Sequence, residues 1–483
     1  MNDFIKTIGS ILEFIFEIIV EVFKGLFEYI ESLLESERKT ELDADFVHVY
    51  EILKRQDKGF CLTGEYSLSI EDSYKNAIAL GGSGSGKSST ILINSALLMA
   101  KGNSSLIFND PSHEIRLLVS GSLIELGYEI RVINYSSLNS ECFNPLKRCK
   151  TISDIQKLAS ILVRNALGDA KDPFWNKSAE AIISLFIRYL IFYAEPEFRT
   201  LYNVLHLINV FAGNPEKIDR LIVIAKDEKL LSEYKAFVAY GDKTLSSILA
   251  TAKASLTLFT DETVASITSI DAIDFSEFRT KRVALFINNS VPDMHYYGAL
   301  SSLFFQQFLN DLLIRIPSKN ENNIFFLLDE ASSMYLPGLS TTISNIRKYN
   351  SGILLIYQDY HQLEHVYGTY EAKNITANCY AKVYLPGQPI ETCKMLETTL
   401  GKFEYEDENE VRHIRQLMTA DEIRMSDRAI VLIGNKPPIH AKLRPFYNDW
   451  KLSSLTNLPP YEPSNKLPFD IPPLIQLDEK KKA

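Results

Sequence analysis

Residues 76–90 read Asn-Ala-Ile-Ala-Leu-Gly-Gly-Ser-Gly-Ser-Gly-Lys-Ser-Ser-Thr. The apolar run Ala77 to Leu80 reads as a buried strand. Gly81, four residues, Gly86, Lys87 and Ser88 follow, and then a helical pattern of Ile91, Leu92, Ile93, Leu97 and Leu98. Strand, G-x-x-x-x-G-K-S and helix in that order make a phosphate-binding loop in its required context. The glycines let the backbone turn and approach an anion, and their N–H groups with the helix N-terminus form a concave anion site. The expected nucleotide-binding set is Gly81, Gly82, Ser83, Gly84, Ser85, Gly86, Lys87, Ser88 and Ser89. Lys87 reaches the β- and γ-phosphates of ATP, and the Ser88 hydroxyl ligates Mg²⁺.

Other polar residues end apolar runs. Asn323-Ile-Phe-Phe-Leu-Leu is closed by Asp329-Glu330, the Walker B pattern. Asp329 is expected to hold the Mg²⁺ shell and Glu330 to act as general base on the attacking water. Ile353-Leu-Leu-Ile-Tyr ends in Gln358, which either senses the γ-phosphate or bonds backbone. Ser105-Leu-Ile-Phe-Asn ends in Asp110-Pro111-x-x-Glu114. Asp110 and Glu114 join the nucleotide-binding set if they face the ligand edge of the sheet; otherwise they are a turn aspartate and a first-turn glutamate. Arg347, just before the Ile353 run, is a candidate arginine finger toward a neighbouring subunit's nucleotide.

The elements that must position these groups are legible in outline. Continuous apolar runs of this kind are strands of a parallel sheet covered on both faces. Further strands are expected at 129–135, 282–288, 380–385 and 429–434. Residues 151–275 show helical periodicity instead, as in Ile155, Leu158, Ile161 and Leu162. The expected fold class is α/β. The expected organisation is an amphipathic N-terminal helix at 1–36, a linker at 37–46, and a nucleotide-binding domain in two segments, 47–150 and 276–450. An all-α domain, 151–275, lies between those segments, and 451–483 form a Pro-rich, charged tail, loosely draped. In the N-terminal helix Glu13, Glu17, Glu21, Lys24, Glu28, Glu31 and Glu35 line one stripe. Its charges interrupt any membrane span, and its acidic stripe suits a partner helix better than a membrane surface.

Composition sets limits. With 483 residues there is material for two or three lobes. A net charge of −10 argues against a surface that is basic all over, and leaves room for a local basic channel. The five cysteines show no CxxC pair and read as reduced thiols of a cytosolic protein. No signal peptide is evident.

In chain order, GGSGSGKSS, Asp110-Pro111-x-x-Glu114, Asn144-Pro145-Leu146, Phe174-Trp175, the 244–251 segment, LLDE at 327–330, and Arg347 through Gln358 to Gln362-Leu363 resemble the type IV coupling proteins, the TraG/TraD group of conjugative secretion ATPases. The resemblance covers about residues 76–445. It implies a RecA-like P-loop NTPase sheet with an inserted all-α domain, and a homo-hexamer with ATP and Mg²⁺ between subunits. It implies a motor that drives single-stranded DNA, with its relaxase or relaxosome, toward type IV secretion membrane components. The location it implies is cytoplasmic, at the inner face of a bacterial cell membrane. The family usually begins with a membrane-spanning pair, which the acid-striped N-terminus does not match. Two rival readings are a HerA/FtsK-like DNA pump of repair or defence, and a nucleotide-gated docking platform.

Overall fold

The computed structural model describes residues 43–168, 172–407, 411–464 and 471–477. The expected N-terminal helix, and with it the partner or membrane surface assigned to it, lies outside the described residues. The described residues fall into two compact units, one within 43–46 and 390–424, the other within 47–389 and 425–477. In the smaller unit the described residues form a helix, Ile390–Leu400, and an antiparallel hairpin of Lys402–Glu406 with Arg412–Gln416. The sequence alone assigns 390–424 to the second segment of the nucleotide-binding domain. The hairpin strands are mostly exposed, so no buried apolar run marks a boundary.

The larger unit is organised by a nine-stranded sheet. Its strands are β1 (Ala77–Leu80), β2 (Ser104–Asn109), β3 (Glu129–Ile133), β4 (Val283–Ile287), β5 (Asn323–Leu328), β6 (Ser351–Tyr357), β7 (Ala381–Tyr384), β8 (Ala429–Ile433) and β9 (Ile439–Ala441). Their order is β9-β8-β7-β1-β6-β5-β2-β4-β3. The pairs from β7 to β3 are parallel, and β8 and β9 add an antiparallel edge. Every residue of β1, β2, β4 and β6 is buried, as a parallel sheet covered on both faces requires. The core sits in stacked rings such as Phe108 on Phe286, 4.6 Å apart.

The described residues between β3 and β4 contain helices and no strand, from Ile152–Leu167 to Glu277–Thr280. Caps fix where they start. Thr151 and Asp154 form a capping box, and Asp172, Thr200, Asp227 and Asp261 each accept an N-terminal amide. Asn144 ties the two ends of this insertion together. Its Nδ2 donates to Arg199 O and Ser269 O, both at 2.9 Å, and its Oδ1 accepts from Leu146 N. The Asn-Pro-Leu motif is thus a joint between the sheet and the helical insertion.

The tail departs from expectation where it is described. Helix Trp450–Thr456 packs on helix Glu114–Glu125, where Gly121 leaves no room for a Cβ beside Pro459 O. Farther on, Asn203 grips the backbone of the tail, Nδ2 to Pro473 O and Oδ1 from Ile475 N, each at 2.9 Å. Ile475 is buried. A side-chain amide reading main-chain groups leaves no trace in the composition of the segment it reads, so proline content alone suggests a loose drape.

Candidate nucleotide-binding site

The parallel strands deliver the chemistry-bearing residues to one edge, the ligand edge of open α/β sheets. In the register of the sheet Leu80 pairs with Tyr357, and Leu328 with Leu355. The phosphate loop therefore leaves β1 beside Gln358 at the end of β6, and Asp329-Glu330 leaves β5 one strand farther along. Two strand spacings, about 10 Å, separate loop and carboxylates.

The loop has the shape its glycines anticipate. Gly84 and Gly86 have φ of 77° and 93°, in the left-handed region where a side chain is strained. A Cβ on Gly81 would lie 2.4 Å from Ser85 Oγ, whereas Gly82 and Gly84 face open space. Lys87 is buried, and its Nζ donates to Gly81 O at 2.6 Å and Gly82 O at 3.0 Å. The helix that follows opens with a wide π-type turn, Lys87–Leu92, and continues as Ile93–Met99. Ser85 Oγ and Thr90 Oγ1 are buried without a hydrogen-bond partner.

Asp329 is buried, and its carboxyl is pushed up to about 7, first by desolvation and then by the charges of Glu330 and Asp110, with Lys87 pulling the other way. Lys87, Asp110, Asp329 and Glu330 thus share one electrostatic neighbourhood. Glu330 sits at φ 44°, ψ 52°, a left-handed conformation uncommon for glutamate, which turns the chain abruptly at the end of β5. Gln358 Nε2 donates to both Glu330 oxygens, at 3.3 and 3.5 Å. Gln362 Oε1 accepts from Gln358 N at 3.0 Å, and Asp359 Oδ1 accepts from Gln362 N at 2.8 Å, so the Q-x-x-x-Q spacing is a brace for Gln358.

Asp110 is engaged differently from a phosphate contact. Its carboxylate accepts from Arg116 N at 2.8 Å, Ile115 N at 3.2 Å and Asn288 Nδ2 at 3.0 Å, which anchors the start of helix Glu114–Glu125. Burial pushes it up to about 6, with these bonds opposing. Glu114 is exposed in the first turn of that helix. Asp110→Ala is expected to lower the unfolding free energy by roughly 1–2 kcal/mol at pH 5, where the folded carboxyl largely keeps its proton and the buried amides lose their acceptor. Urea unfolding with an unchanged midpoint would contradict this.

Arg347 lies away from this group. It is exposed at the entry of β6, whose seven residues span about 23 Å before Gln358. It is therefore not brought to the phosphate loop of its own chain.

Two residues of the neighbourhood carry no signal of their own in the sequence. Asn109 Nδ2 donates to Asp329 O at 2.6 Å, and its carbonyl accepts from Asp329 N at 3.2 Å, locking the end of β5 to β2. Asn288 holds both the carbonyl and the carboxylate of Asp110. The nearest hint is that β2 and β4 each run out in a polar residue at the same edge as β5 and β6.

Residues 28–467 match the family model described as type IV secretory system conjugative DNA transfer. The chain belongs to this family. Among curated relatives it is similar to protein VirD4 of Rhizobium radiobacter, 25% identical over 379 residues, 71% of this chain and 54% of that protein. The type IV secretion system-coupling protein VirD4 of Bartonella quintana is 20% identical over 385 residues, 76% of this chain and 59% of that protein. The chain spans little more than half the length of these relatives. Among solved structures the bacterial conjugative coupling protein TrwB, in its trigonal form with sulphate, superposes with a TM-score of 0.68 at 18% identity, over 83% of this chain and 93% of that one. TrwB with a non-hydrolysable ATP analogue gives 0.66 at 16% identity, over 89% and 96%. The RecA-like sheet with an all-α insertion is thus the fold of this family member. No helix among the described residues is long and apolar enough to cross a membrane.

Proposed function

We propose that the protein is an ATP-hydrolysing coupling motor of conjugation or type IV secretion, which drives single-stranded DNA or its relaxase complex into the secretion channel. The observation that carries the reading is the convergence of Lys87, Asp329, Glu330 and Gln358 on one sheet edge. A solved structure of TrwB holds ADP and Mg²⁺, and the residues here fit such a ligand. The glycine loop leaves a space open beside Gly82 and Gly84, Ser85 Oγ is buried without a partner, and the neighbourhood pairs one buried lysine with carboxylates.

In this reading the amides of residues 81–89 and Lys87 bind the phosphates, and Ser88 and Asp329 hold Mg²⁺. The ion, when bound, neutralises charge on the phosphate oxygens. Among the described residues no three or more His, Cys, Asp or Glu form a cage, which accords with a Mg²⁺ site of one carboxylate, a hydroxyl and substrate phosphates. Glu330 takes the proton of the attacking water, and Gln358 holds the Glu330 carboxylate and reads the γ-phosphate. Asp110 and Glu114 shape the wall of the site: Asp110 fixes the adjoining helix start, and Glu114 lies at that helix mouth. Arg347, at the opposite edge, serves a neighbouring subunit in a hexameric ring. The protein works in the cytoplasm at the inner face of the membrane, docked on secretion components.

The test is ATP hydrolysis against protein concentration, with and without single-stranded DNA. Specific activity is expected to rise with assembly and with DNA. Arg347→Ala is expected to remove at least about tenfold of the assembled rate while leaving the dilute rate unchanged. A concentration-independent rate, indifferent to DNA and to Arg347, would overturn the ring motor.

A further inference from the structure

The phosphate loop is rich in glycine, which lets it turn and leaves it little stiffness of its own. A loop that becomes ordered only when its ligand arrives gives up affinity to that ordering. Whatever holds its first peptide in place therefore bears on how tightly it binds.

Contacts from both neighbouring strands converge on that peptide. Leu80 C=O and Gly81 N–H lie in one rigid plane. On the β6 side, Gly81 N donates to Tyr357 O at 3.2 Å. On the β7 side, Leu80 O accepts twice, from Leu385 N at 2.9 Å and from Gln388 Nε2 at 2.8 Å. The same amide nitrogen donates to Leu385 O, also at 2.8 Å. Gln388 is only 6% exposed, in the turn that follows β7, beside Gly387 at φ 82°. The turn lies close against the loop: a Cβ on Gly81 would come within 2.8 Å of Leu385 Cβ. One peptide farther on, the Gly81 carbonyl accepts from Lys87 Nζ.

Leu80 O already has a donor in Leu385 N, so the sheet does not need Gln388 to complete its pairing. The second bond fixes the tilt of the Leu80–Gly81 plane, and that plane sets the direction in which the glycines leave β1. We propose that Gln388 is a positioning residue for nucleotide binding, which, on the reading that this loop binds ATP, holds the loop ready for the triphosphate before it arrives.

Equilibrium binding of MgATP to the full chain, set beside steady-state hydrolysis, tests it. Gln388→Met keeps the length of the side chain and loses the donor; Gln388→Ala loses both. Each is expected to weaken MgATP binding about fivefold, the scale of one hydrogen bond. KM should rise with Kd, and kcat should stay within about twofold, because Glu330 and Gln358 are untouched. The alanine variant should unfold at lower urea than the methionine variant, yet match it in affinity. Asn203→Leu removes another buried amide that grips main chain, far along the sequence in the helical insertion. It should lower the unfolding midpoint and leave MgATP affinity unchanged. Unchanged affinity in the Gln388 variants overturns the assignment. So does a loss confined to the alanine variant, which would make Gln388 a packing residue, or a loss that Asn203→Leu shares. A wild type that does not bind MgATP fails the nucleotide reading itself, and the role of Gln388 falls with it.

Discussion

Glu330→Gln is expected to bind MgATP within about threefold of wild type and to turn over at least about a hundredfold more slowly, the usual scale for loss of a general base. The amide is isosteric and still meets Gln358, so geometry and phosphate contacts persist. What disappears is the ability to take a proton from water. Nucleotide affinity by titration, set beside phosphate release in single and multiple turnovers, separates the two effects. A variant that retains turnover within tenfold would place the base elsewhere. One that loses binding and turnover together would make Glu330 a structural residue, and its left-handed backbone would then be strain without catalytic purpose.

The second large effect concerns stability. Burial, and then the charges of Glu330 and Asp110, push the Asp329 carboxyl of the folded protein up to about 7, from 3.8 for an ordinary aspartate. The folded state therefore keeps a proton that the unfolded chain has released. Its contribution to stability is fully present below pH 3.8, falls as the pH rises, and is gone above about 7. Asp329→Asn removes this ionisation. In the metal-free and nucleotide-free protein at pH 8 it is expected to raise the unfolding free energy by up to about 4 kcal/mol, three pKa units at 1.36 kcal/mol each. The gain should shrink toward zero near pH 4. A lower Tm than wild type at pH 8 would refute the burial argument. The same substitution should stop hydrolysis, so stability and activity move in opposite directions, as they do where a site is built from repelling charges.

The sheet and the core of its site are readable in the sequence because each element carries its own signal. β1 with the glycine loop, β5 with Asp-Glu and β6 with Gln358 are apolar runs closed by polar residues, and parallel pairing puts such ends at one edge. The all-α insertion announces itself through helical spacing at Ile155, Leu158 and Leu162. Groups that act through other residues are harder to read. Asp110 looks like a ligand because a carboxylate at a strand end can serve either a phosphate or the amides of the next helix. Only the contact with Arg116 N reveals which it serves here. Asn109 and Asn288 bind carbonyls across strands far apart in sequence, so no local window contains both partners. The docked tail and the separate 390–424 unit depend on tertiary contacts in the same way.

The central claim is that the glycine cradle and the Asp329 carboxylate bind one magnesium triphosphate. Calorimetric titration of ATP into the wild type and into Asp329→Asn, with Mg²⁺ and with excess chelator, tests it most directly. The expected result is that Mg²⁺ tightens ATP binding at least about tenfold in the wild type and hardly at all in the variant, while both bind ATP equally in chelator. An equal gain from Mg²⁺ in the two proteins would mean that loop and carboxylate do not share a ligand.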